Sequence, residues 1–168
     1  SSASKIIERY ATGTVKRTSS GIGGLVGSCG AVINRSYATG NVTGQFHSGG
    51  LIGYSNGYLI DNCYATGTIT AEDTYSGGLI GESSSLVNNS YATGNVTGDY
   101  YVGGLIGESY DVTENSYSIG YVRGLGDVGG LIGSSLSKTK NSSATGNVTG
   151  INMVGGLIGD NRDEISNS

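Results

Sequence analysis

Histidine occurs once in this chain of 168 residues, at position 47, and cysteine twice, at 29 and 63; proline and tryptophan are absent and phenylalanine occurs once. A single histidine cannot supply the partnered imidazoles that zinc and nucleophile sites use, and no HExxH, CxxC or GxSxG motif is present. His47 reads instead as a loop residue between "TGQF" and "SGGLIG". Charge is scarce too, with 13% charged residues and a net charge of −4, which argues against a nucleic-acid binder and its basic stripe. The cations crowd the start at Lys5, Arg9, Lys16, Arg17 and Arg35, and none follows until Arg123. No apolar run is long enough to span a bilayer as a helix.

What the chain does have is glycine, 32 residues of it, together with 12 tyrosines and regular apolar positions. That much glycine in an aperiodic sequence would point to disorder, whereas apolar residues that return on a fixed beat can build a core. The beat is plain. "ERYATGTVKR", "RSYATGNVTG", "NCYATGTITA", "NSYATGNVTG", "NSYSIGYVRG" and "NSSATGNVTG" are six versions of one phrase, with Tyr10, Tyr37, Tyr64, Tyr91, Tyr117 and Ser143 in the same place. A second phrase, "GGLVG" at Gly23 and "GGLIG" at Gly49, Gly77, Gly103, Gly129 and Gly155, keeps step with it.

The repeat of about 26 residues consists of short β-type segments parted by Gly, Asn and Ser, with no helical periodicity. Helical and leucine-rich repeats need a helix-patterned segment, and propeller blades need a longer period. The remaining architecture is all-β: a parallel β-solenoid, right-handed by the general crossover rule, of about six coils with about three strands each. We expect repeats over 6–32, 33–59, 60–86, 87–112, 113–138 and 139–164, with a seventh beginning at 165–168. One coil buries too little apolar surface to offset the ordering of its backbone, so the coils must fold as a stack. Because the chain opens and closes within repeats, we expect it to be a single solenoid segment of a longer protein.

Reading down the repeats assigns the faces. Ile6, Ile33, Ile60, Val87, Thr113, Thr139 and Ile165 form one interior column, and Val15, Val42, Ile69, Val96, Val122 and Val148 another. The two columns are an odd number of residues apart, so strict alternation cannot bury both and a bend must intervene. The expected bend is at Glu8, Arg35, Asn62, Asn89, Asn115, Asn141 and Asn167, where Asn tolerates turn geometry and its amide can bond to the next coil. After it, Ser90, Ala92, Gly94 and Val96 point inward, with Cys63 replacing Ser in the third copy, and Tyr91, Thr93, Asn95 and Thr97 point outward. The leucines Leu25, Leu51, Leu79, Leu105, Leu131 and Leu157 form a third interior column, but each precedes another aliphatic, so either the strand bends there or one column is exposed.

The paired phrases resemble the GLUG-repeat family, named for its Gly-Leu-hydrophobic-Gly core, over essentially the whole chain. The resemblance implies a β-helical stalk of the kind found in large secreted or cell-wall proteins: adhesins, filamentous-haemagglutinin-like proteins, and the noncatalytic parts of some IgA-specific metallopeptidases. It brings no catalytic residues and no cofactor. The fifth copy departs from the pattern at Ile119 and Tyr121, and the sixth at Ser143.

Function is therefore expected in a surface rather than in a reaction centre. The candidate interaction ladder is Tyr10, Tyr37, Tyr64, Tyr91 and Tyr117 with Thr39, Thr66 and Thr93, and the structural ladder is Asn62, Asn89, Asn115, Asn141 and Asn167. Expected partners are a second copy of the chain, or a surface protein or glycan, with no nucleic acid and no membrane insertion, and the expected location is extracellular or at the cell surface. Two alternatives are a noncatalytic repeat region of a secreted enzyme and an ice-binding solenoid whose Thr columns order water; Lys16, Ile119 and Arg123 interrupt those columns. Glu82 and Glu108 fall on adjacent coils as solvated carboxylates at a turn, close enough for an acid pair or a weak cation site. Asn41, Asn95 and Asn147 open "NVT" sequons, and Asn34, Asn88 and Asn141 open others. Cys29 and Cys63 fall on different sides of adjacent coils, where a disulfide cannot reach, so two free thiols are expected.

Overall fold

The computed structural model describes residues 4–168, which hold 31 strands and no helix. All strand pairs are parallel and join equivalent residues of successive repeats, for example Ile33 with Ile60, Tyr64 with Tyr91, Ile69 with Val96 and Ile80 with Ile106. The protein is a parallel β-solenoid of about six coils. Each coil contributes one short strand to each of five sheets, not to about three. In the third coil these strands are Leu59–Asp61, Tyr64–Ala65, Ile69–Ala71, Thr74–Gly77 and Ile80–Ser83, and we number the sheets first to fifth in that order. The first sheet has seven strands and the others six.

Five strands need more corners than the Asn bend, the one located outright from sequence, and backbone conformation shows where they are. Glu8, Arg35, Asn62, Asn89, Asn115, Asn141 and Asn167 all have φ between 46° and 54°. Left-handed geometry at this column swings the chain from the first sheet into the second, and Asn adopts it at lower cost than most residues. A second left-handed column, which sequence reading missed, comprises Gly21, His47, Tyr75, Tyr101, Asp127 and Met153, with φ from 45° to 69°. These residues kink the fourth sheet: the ladder pairs Thr74 with Tyr100 and Ser76 with Val102 and skips Tyr75 and Tyr101.

The third corner is the Gly-Gly-Leu phrase between the fourth and fifth sheets. A Cβ at Gly77 would collide with the Ile80 carbonyl, and one at Gly78 with the Gly104 carbonyl one coil on. This bend settles the orientation of the two adjacent aliphatics, because both are inside. Leu51, Ile52, Leu79, Ile80, Leu105, Ile106, Leu131 and Ile132 are all fully buried.

The interior divides into two cores. The larger joins the Ile33, Ile60 and Val87 column to the Leu-Ile pairs and to Ala38, Ala65 and Ala92. The smaller joins the valine column of the third sheet to Ile22, Val102 and Val128 of the fourth. Both interior columns read from sequence are thus buried through the middle of the stack, while Ile6 is partly covered and Ile165 is 43% exposed. At the first bend, Ser90, Ser116 and Ser142 donate to the carbonyls of Asn88, Glu114 and Lys140, each at 2.7 Å. The same hydroxyls accept the backbone N–H of Cys63, Ser90 and Ser116 one coil before, at 3.1–3.2 Å. This buried serine ladder clips each corner to the next.

Candidate functional sites: a tyrosine face and an aromatic-acid strip

The second sheet carries the first site. Its alternation buries Ala38, Ala65 and Ala92 and turns the tyrosines outward. Because the strands are in register, the rings are forced into a column one coil apart. Tyr10, Tyr37, Tyr64, Tyr91 and Tyr117 stack with centroids 4.7–5.3 Å apart and planes within 10° of parallel. Tyr10 is 64% exposed and Tyr117 41%, and the three rings between them are half-buried by their neighbours. Thr39 and Thr66 are exposed beside them and Thr93 is half-buried. Partial burial, with the flanking hydroxyls of Tyr117 and Tyr64, holds the Tyr91 phenol above its ordinary pKa.

The Asn column edges this face, and its amides are joined mostly through the column one residue earlier. Asn141 Nδ2 donates to Asn115 Oδ1 at 3.3 Å, but Asn115 Nδ2 reaches Asn88 Oδ1 at 2.8 Å. Asn62 and Asn89 both donate to the Asp61 carboxylate, at 2.6 and 3.3 Å. The Asp61 carboxylate therefore gathers amides where a chain of Asn-to-Asn bonds was expected. Of the sequon residues, Asn41 and Asn95 are exposed, and each accepts a backbone N–H of the following coil, from Thr68 at 2.9 Å and Tyr121 at 3.0 Å.

The second site lies where the fourth and fifth sheets meet. The kinked column puts His47, Tyr75 and Tyr101 in a stack, with centroids 4.8 and 5.0 Å apart and planes within 9°. Facing it, the fifth sheet pairs Ser28, Tyr54, Glu82, Glu108, Ser134 and Asp160 in register along one row. His47 Nε2 lies 2.7 Å from Glu82 Oε2, and its ring meets Tyr54 edge-on at 5.8 Å. His47 is thus a partnered member of a site, not only a loop residue.

The carboxylates also differ from expectation. Glu108 is buried in the strand Ile106–Ser109, where it accepts a hydrogen bond from the Tyr110 hydroxyl at 2.9 Å. It is not solvated at a turn, because the fifth sheet continues through this position. Burial pushes its pKa up, against the opposing effect of the Tyr110 bond. Burial and then Asp160 do the same to Asp127, and burial, Glu108 and Glu82 raise Tyr75. Among the described residues, no group of three or more His, Cys, Asp or Glu side chains is placed to hold a metal ion.

Cys29 and Cys63 are both free. Cys63 stands in the serine ladder, with Sγ 3.2 Å from the Asp61 carbonyl, and burial raises its thiol to about 11. A thiol held in that state is a weak nucleophile.

Stacked parallel coils, a recurrent core and long ladders of like residues define a parallel β-solenoid repeat protein. The family model of the GLUG motif matches residues 44–70, and the chain carries that motif. Gly44 pairs with Ala71 and Thr43 with Thr70, so the matched span is one circuit of the coil, and the remaining coils repeat it in register. No curated protein and no solved structure matches the chain significantly.

Proposed function

We propose that this chain is a noncatalytic scaffold, a repeat segment of a larger extracellular or cell-surface protein, that works through its tyrosine face by adhesion or self-assembly. The observation that supports this most is the stacked column from Tyr10 to Tyr117. A ring already held by its neighbours has little rotamer freedom left to lose on contact. Repeating one weak contact along a rigid rod multiplies its strength without any single strong site. The GLUG motif and the solenoid fold fit a repeat segment of a larger protein.

The test compares the wild type with a variant carrying Tyr37→Ser, Tyr64→Ser and Tyr91→Ser, in sedimentation velocity at rising concentration and in retention of protein-coated beads on extracellular-matrix-coated glass. The wild type is expected to self-associate or to be retained, and the variant to do neither while keeping its β-sheet circular dichroism. Equal behaviour of the two proteins in both assays would remove the tyrosine face from the function.

A further inference from the structure

The aromatic column of the second site stops one rung short. His47, Tyr75, Tyr101, Asp127 and Met153 fill the left-handed position in five successive coils, and Gly21 holds it in the first of the series, with φ 69°. His47 gives one face to Tyr75, so its other face looks along the stack toward Gly21, which offers no side chain to stack on it. The gap is a real cleft of about 460 Å³, lined by Ser20, Gly21, Ser28, His47, Tyr54 and Glu82. That volume falls within the usual span of small-molecule sites, about 300–1,000 Å³.

We infer that this cleft is a binding site for one ring of a neutral saccharide. The missing rung leaves a slot over the His47 imidazole in which a ring can stack at one coil spacing, about 4.8 Å, with the C–H face of a sugar lying on the imidazole as Tyr75 lies on its other side. Around the slot are hydroxyls of Ser20, Ser28 and Tyr54 and the carboxylate of Glu82. Glu82 Oε2 is taken by His47, leaving Oε1 to accept from a ligand hydroxyl. An aromatic floor with a polar rim matches a pyranose, whose faces are C–H and whose edge is hydroxyl. Glu82 in the lining, with Glu108 paired beside it one coil on, opposes an anionic sugar. A lone guanidinium would leave most of the cleft unfilled.

The chain itself supplies the control. Tyrosine already occupies this left-handed position at Tyr75 and Tyr101, and a Cβ at Gly21 would come no nearer than 3.5 Å to any atom outside its chain neighbours. Gly21→Tyr should therefore fold and close the slot with the protein's own ring. The experiment is a ¹⁵N-resolved NMR titration with cellotriose, maltotriose and tri-N-acetylchitotriose, and with N-acetylarginine amide as the cationic comparison. At least one trisaccharide is expected to give saturable shifts confined to residues 20–21, 28, 47, 54 and 82, with a dissociation constant on the order of 1 mM. Gly21→Tyr should abolish them, Glu82→Gln should weaken binding about tenfold, and the triple tyrosine-face variant should bind as the wild type does.

Absence of saturable shifts with all three sugars, shifts that persist unchanged in Gly21→Tyr, or shifts with the arginine amide alone would each overturn the inference. If Gly21→Tyr fails to fold, Glu82→Gln and Tyr54→Ala decide instead: unchanged affinity in both overturns it. The cleft and the tyrosine face are on different sheets, so either assignment can fail without the other.

Discussion

At the scale of single residues, the most telling positions are buried hydroxyls in otherwise aliphatic columns. Thr139 is fully buried between Thr113 and Ile165, and its Oγ1 has no hydrogen-bond partner. Thr113 stands in the same column but has Ser109 Oγ at 3.3 Å. An unpaired buried hydroxyl is a cost, and valine fills nearly the same space without one. Thr139→Val should therefore stabilise the protein by about 1 kcal/mol, raising the thermal midpoint by about 2–4 °C. Thr113→Val, which breaks a contact, should give no such gain. Differential scanning calorimetry of the two variants checks this, and equal shifts would mean that the Thr139 hydroxyl is satisfied in solution.

At the scale of elements, the corners carry the design, and they were unevenly legible. The bend at the Asn column could be read because two buried columns an odd distance apart require one, and Asn is a residue that turns. The bend at Gly-Gly-Leu was readable only as a choice between two outcomes, since a flat strand cannot bury both Leu51 and Ile52. The kink at His47, Tyr75, Tyr101, Asp127 and Met153 gave no compositional sign, because those residue types share no turn preference. Its one trace was the glycine at position 21. For the same reason the aromatic-acid strip stayed hidden: it depends on which side chains that kink aims at the fifth sheet. The tyrosine face needed only alternation and register.

The Asn corner has a direct energetic test. Asn115 has φ 50° and takes part in two amide contacts, with Asn88 and Asn141. Asn115→Gly keeps the backbone and loses those exposed contacts, whereas Asn115→Val also forces a β-branched residue into left-handed geometry. The valine variant should lose about 2 kcal/mol and the glycine variant less than half of that in urea denaturation. Equal losses would place the value of Asn115 in its amide instead of its backbone.

At the scale of the whole molecule, each coil touches chiefly the coils above and below it, which makes stability a sum over near neighbours. Register follows from the repeat: Val87 pairs with Thr113, Tyr91 with Tyr117, Val96 with Val122 and Ile106 with Ile132. Deleting residues 87–112 therefore joins Leu86 to Thr113 and lets every residue after the cut take the place of its equivalent. Tyr117 then stacks on Tyr64, Val122 covers Ile69, and the buried Glu108 leaves with its coil. The shortened protein should fold with the same circular dichroism per residue and unfold cooperatively, its urea m-value smaller by about one sixth because less surface is exposed. Deleting only residues 87–99 would place the valine column against the wrong sheets and should destroy cooperative unfolding. If the whole-coil deletion were the one that failed to fold, the coils would not be interchangeable, and stability would have to reside in some feature of residues 87–112 that the repeat does not share.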